Sequence, residues 1–157
     1  MIEAEFISKF DDADAVDMSD TTTNITEENI KELHILADRY PQAQSAIIPM
    51  LHLVQSIDGK VSGEGVRHIA RILDLPEAVV LGVVTFYTMF HKEAVGKHLI
   101  GVCTTSLCAV MGGDMVYETV RKHLGLDGEG TTEDGAFTLE RVECNAACDF
   151  APVMMLT

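Results

Sequence analysis

Basic residues are scarce in this sequence. Its 157 residues hold 11 Lys and Arg against 25 Asp and Glu, a formal net charge of -14. A chain this acidic lacks the basic patches that nucleic acid or an anionic membrane surface demands, so neither is expected as a partner. No basic segment followed by an apolar core opens the chain, which argues against a secretory signal, and the acid-rich start is unlike a transit peptide. No apolar run approaches the roughly 20 residues that span a bilayer, so direct membrane insertion is not expected and the default compartment is cytosolic. Internal repeats are missing. Cysteine is confined to two close pairs, Cys103 with Cys108 and Cys144 with Cys148. In a reducing compartment such pairs are more often metal ligands or redox centres than structural disulfides.

The residues that are present divide into two patterns. Residues 1–24 are acidic, with Asp11, Asp12, Asp14, Asp17 and Asp20 among few apolar residues, and their composition predicts a mobile arm. Thr26 then suits a helix N-cap, with Glu27 and Glu28 facing the positive end of the dipole, and Ile30, Leu33 and Ala37 share a face of a helix running to about Tyr40, before Pro41. Ile47, Met50, Leu51, Val54 and Ile57 predict a second helix over Ser45 to Ile57, ended by Asp58-Gly59. Ser62 caps a third through Leu73, and Pro76 begins a fourth carrying Val79, Val83, Phe86, Tyr87 and Phe90. Four helices on short turns form a compact helical unit.

After Gly96 the pattern changes. "HLIGVC" suits a buried strand, Asp114 to Leu124 a helix, "AFTLERVEC" a second strand and "PVMML" the start of a third, which is an α/β arrangement. Each cysteine pair falls where a strand runs into a loop, so two loops can converge over one sheet edge. The spacing is C-x4-C, then C-x3-C. Loops of that length can curl round a 2Fe-2S rhomb and aim amides at its sulfides, with Thr104, Thr105 and Ser106 as hydroxyl donors. Structural zinc is the main alternative, although tight C-x2-C knuckles are absent. A redox disulfide, which usually takes C-x-x-C, and unrelated buried thiols also stay open. Gly112-Gly113 reads as a tight turn, since no Lys or full G-x-G-x-x-G accompanies it. The histidines at 34, 52, 68, 91, 98 and 123 are scattered, and "TFYTMF" (Thr85 to Phe90) reads as core or subunit interface on a helical face.

Four longer blocks carry a resemblance: "YPQAQSAIIPMLHLVQ" (Tyr40 to Gln55), "LPEAVVLGVVTFYTMF" (Leu75 to Phe90), "GVCTTSLCAVMGGD" and "TTEDGAFTLERVECNAACDFAPVMM". In this order the chain, from about Thr26 to its end, resembles the NuoE family, the small 2Fe-2S subunit of the NADH dehydrogenase module of respiratory complex I (NADH-quinone oxidoreductase). The resemblance implies an α+β chain in which an N-terminal helical bundle, 25–95, precedes a thioredoxin-like α/β 2Fe-2S ferredoxin domain, 96–157. It implies that Cys103, Cys108, Cys144 and Cys148 ligate one 2Fe-2S cluster and that the chain has no catalytic residue of its own. It implies a larger, NuoF-type partner subunit that carries FMN, binds NADH and holds a 4Fe-4S cluster, alongside other peripheral-arm subunits. The isolated chain is then an electron carrier without NADH-oxidising activity, cytoplasmic and peripheral on the inner face of the bacterial cell membrane through the complex. Related small subunits of NAD-linked hydrogenases and formate dehydrogenases share the pattern, and a four-cysteine zinc module is the more distant alternative. Two departures stand out. Ala146 occupies a position where many relatives have Gly, and the chain stops at Thr157 as a strand begins, which suggests truncation at the C-terminus.

Overall fold

The computed structural model describes residues 15–157. The chain divides into two compact units, the first ending at Ala94 and the second starting at Val95.

The first unit is built on four helices, α1 (Glu27–Ala37), α2 (Ile47–Asp58), α3 (Gly63–Leu73) and α4 (Glu77–Phe86). Thr26 starts α1 through a reciprocal cap, its hydroxyl accepting from the Asn29 amide while the Asn29 side chain accepts from the Thr26 amide at 2.9 Å. The helix stops three residues short of the expected Tyr40. Pro41 disfavours α geometry at Tyr40, and the chain tightens instead into turn bonds from Arg39 to Leu36 and from Tyr40 to Ala37. A 3-10 turn over Ala43–Ala46 precedes α2 and leaves Pro49 in its first turn. Gly59, at φ +74°, closes α2 in the left-handed conformation that costs glycine nothing. Ser62 caps α3 by accepting from the Gly65 amide at 3.1 Å.

Helix α4 ends at Phe86 because Tyr87 turns extended. The aromatic stretch therefore does not share a helical face as its spacing suggested. Phe90 folds back alone into the core, 2% exposed and 5.1 Å from the His52 ring, while Phe86 is left 76% exposed. That core joins Leu33, Met50, Leu51, Val54, Val66, Ile69, Val80 and Val84, all fully buried.

Part of the expected acidic arm belongs to this unit. Residues 1–14 lie outside the described ones, but Val16 is buried in the helical core and the Met18 carbonyl accepts from Arg67. Lys60 pairs with Asp20 at 3.1 Å, and the Asp58 carboxylate accepts from the Thr23 hydroxyl at 2.9 Å and the Asn24 amide at 2.7 Å. Residues 16–24 thus contribute packing and polar contacts to the helical unit. Their acidic composition concealed the two apolar residues and the cations waiting for them on α3 and its approach.

The second unit is a four-stranded sheet of order β2-β3-β1-β4, with β1 His98–Cys103, β2 Gly130–Thr131, β3 Phe137–Val142 and β4 Met154–Leu156. The central pair, β1 and β3, is parallel, with His98 opposite Phe137 and Cys103 opposite Val142. Both outer strands run antiparallel to their neighbours. Between β1 and β3 the chain forms a short helix, α5 (Ser106–Val110), which the periodicity did not reveal, and then α6 (Gly113–Leu124). The core is small: Tyr117 of α6 joins Ile100, Val102 and Leu139 of the sheet, bordered by Val116, Val120 and Leu124. Arg141 of β3 lies 3.9 Å over the Tyr117 ring and pairs with Asp114, which ties α6 to the strand leading to the second cysteine loop. Among the described residues no helix is long and apolar enough to cross a membrane.

Candidate metal centre

Parallel pairing of adjacent strands sends both to finish at the same sheet edge. Cys103 is the last residue of β1, and Cys144 follows β3 by two positions, so the in-register match of Cys103 with Val142 delivers both cysteine loops to one place. Cys108 lies in α5 and Cys148 opens a 3-10 turn, Cys148–Phe150. All four thiols are free; Cys103 and Cys108 are buried, whereas Cys144 and Cys148 are exposed.

The two loops are stitched together. The Thr105 hydroxyl donates to the Glu143 carbonyl across the gap and lies 3.4 Å from Cys103 Sγ. Of the three hydroxyls proposed from sequence, Thr105 is thus brought to a cysteine. The Cys103 amide donates to the Val153 carbonyl at 3.1 Å, which anchors the end of β1 against the segment leading into β4. The glycine pair does two jobs. Gly112, at φ +98°, makes the turn between α5 and α6, while a Cβ on Gly113 would stand 2.6 Å from the Cys103 carbonyl oxygen and 2.9 Å from that of Cys108. A tight turn, the role its sequence suggests, accounts only for the first. In the second loop Ala146 adopts φ +53°, and the first loop contains Ser106 at φ +30°. Both loops curl through conformations that L-residues seldom take.

Several amides face the sulfurs. The Thr105 hydroxyl and amide beside it, helped by Cys108 and the Asn145 backbone amide against the effect of burial, bring the Cys103 thiol down to about 7. The Val153 amide favours the Cys108 thiolate, but burial and the neighbouring Cys103 and Cys148 sulfurs outweigh it and push that thiol up. The Ala146 amide donates to Cys144 Sγ at 3.3 Å. In this loop the Asn145 Nδ2 is sealed from solvent and has no hydrogen-bond partner. Sequence inspection missed Asn145, because nothing in the C-x3-C pattern marks the second residue as polar for a reason.

Residues 33–157 match the thioredoxin-like 2Fe-2S ferredoxin family. The chain belongs to this family. It is also similar to the E subunit of the NADH-quinone oxidoreductase of Mycobacterium tuberculosis (strain ATCC 25618 / H37Rv), with 49% identity over 118 residues covering 75% of this chain and 47% of that protein. The corresponding E subunit from Rickettsia conorii is 37% identical over 144 residues, covering 88% and 86% respectively. Flavoprotein 2 of mitochondrial NADH dehydrogenase [ubiquinone] from Dictyostelium discoideum is 35% identical over 139 residues, covering 87% and 56%. The chain spans about half the length of the mycobacterial relatives, 47% of each.

The site fits the group that gives this ferredoxin family its name. Its donors are thiols, the ligands such clusters take, and backbone amides already point at Cys103, Cys108 and Cys144. The unpartnered Nδ2 of Asn145 adds a donor without an acceptor. Among the described residues no three His, Cys, Asp or Glu side chains, the four cysteines included, are gathered closely enough to hold a metal ion.

Proposed function

We propose that this chain is the electron-transfer subunit of an NADH-quinone oxidoreductase and that Cys103, Cys108, Cys144 and Cys148 hold its one 2Fe-2S cluster. The observation that carries the reading is the parallel β1–β3 register, which ends both cysteine loops at one sheet edge. The names of the relatives support the host complex. When bound, such a cluster takes up and returns one electron at a time.

The protein's own groups prepare the site for that charge. Four thiolates concentrate negative charge, and each added electron is opposed by it. Amide donors at Thr105, Asn145, Val153 and Ala146 spread that charge over the backbone and make the reduced state accessible. A Cys103 thiol near 7 is ready to ligate at neutral pH. Burial of Cys103 and Cys108 shelters one pair, while the exposed Cys144 and Cys148 bring the other towards solvent or a partner.

Apolar side chains flank the cysteines in sequence. Val110 is 83% exposed and Phe150 79%, with Leu107, Met111 and Met115 also exposed. Exposed groups of this kind suit a docking face, here for the larger FMN- and NADH-binding subunit of the peripheral arm, on the inner face of the membrane. The chain itself lacks a nucleotide-binding motif and acts as carrier. Single Cys→Ser variants test the ligand set. Each is expected to lose cluster or to shift the visible absorption and EPR spectra of the reduced protein, and unchanged spectra in all four would sink the assignment.

A further inference from the structure

Several polar groups of the two cysteine loops have partners in the structure. Thr105 bonds to Glu143, the Cys103 amide to Val153, and the Ala146 amide to Cys144. Asn145 Nδ2 is the single buried side-chain nitrogen or oxygen without a partner among the described residues. A buried donor left unmade is costly, so a native fold retains one where a partner arrives later. Asn145 lies between Cys144 and Ala146, whose amide donates to Cys144 Sγ at 3.3 Å, so its buried side-chain nitrogen belongs to the loop that presents that sulfur. The acceptors that would arrive there are the sulfurs of the cluster.

We infer that the Asn145 side-chain amide donates a hydrogen bond to a sulfur of the bound cluster and so raises its reduction potential. The inference rests on the four-cysteine ligand reading above. Asn145 is not a ligand; it acts on the cluster through that donor. Reduction adds one negative charge to the cluster, and a fixed N–H dipole aimed at sulfur stabilises the reduced state more than the oxidised one. The sign is therefore set: removing the donor lowers the potential.

The sequence makes a direct test available. It has three asparagines, Asn24, Asn29 and Asn145, and only the last belongs to the second unit. Cluster-loaded full chain is prepared with asparagine labelled with 15N at the side-chain amide only, and the dithionite-reduced protein is examined by pulsed EPR. The expected result is a 15N coupling that disappears in Asn145→Leu. That variant is also expected to show about a tenfold smaller equilibrium constant for reduction, which is about 59 mV for a one-electron couple. Absence of a side-chain 15N coupling in the wild-type cluster overturns the inference, and so does an unchanged potential in a loaded Asn145→Leu. The labelled wild-type spectrum decides the matter even if the variant fails to take up cluster. Absence of a 2Fe-2S cluster from wild-type protein refutes the function proposed above, a different outcome from a cluster that ignores Asn145.

Discussion

Ala146 sits at φ +53°, a left-handed conformation that places a Cβ against the following carbonyl. The sequence already marked this position, because the resemblance to the NuoE family leads to an expectation of Gly there. What it did not disclose is that the alanine itself adopts the left-handed turn. Ala146→Gly should relieve about 1–2 kcal/mol of steric cost and return part of it as backbone entropy, for a net stabilisation of up to about 1 kcal/mol. Denaturant unfolding of the two proteins measures this, and the visible spectrum of the loaded protein should not change, because no ligand is touched. A clear loss of stability would show that the turn does not need glycine-like freedom. Asn145 was illegible for the opposite reason. Its importance lies in a missing partner, and a missing partner has no signature in spacing or periodicity.

Elements were legible where periodicity was strong and caps were local. Thr26, Ser62 and Gly59 mark helix ends by their own side chains or backbone freedom, and the structure uses each of them. Strand β1 was legible as an apolar run because it is one of the two inner strands of the sheet and its last four residues are buried. The short helix α5 was hidden, since five residues cannot complete a periodic pattern. The ends of α1 and α4 were set by backbone geometry at Tyr40 and Tyr87, which side-chain spacing does not report. The junction of α5 and α6 supplies the prediction at this scale. Gly113 lets α6 begin against the carbonyls of Cys103 and Cys108, and both are backbone atoms that cannot swing aside. Gly113→Ala should therefore cost about 1–3 kcal/mol of stability and reduce cluster content, by displacing the backbone of two cysteines at once. Calorimetric unfolding together with iron content checks it, and an unperturbed variant would mean that the loop has slack.

Across the whole chain the two units contrast in how much core they own. The helical unit buries a broad set of aliphatic side chains, whereas the sheet unit relies on Ile100, Val102, Tyr117 and Leu139 with a partly buried border. A small unit with a thin core gains most from an added cross-link, and a group held by both cysteine loops provides one. On the proposed reading the same two loops would carry the electron, so stability and function of the second unit would depend on one event. The charge of -14 and the exposed apolar side chains near the cysteines fit a component that works against another protein rather than against nucleic acid. On the proposed reading the four thiols hold one 2Fe-2S cluster. Iron, zinc and acid-labile sulfide in anaerobically purified protein, with EPR after dithionite reduction, test it most directly. About two irons and two sulfides per chain are expected, with a paramagnetic signal that appears on reduction. About one zinc per chain, without sulfide and without a signal, would contradict it.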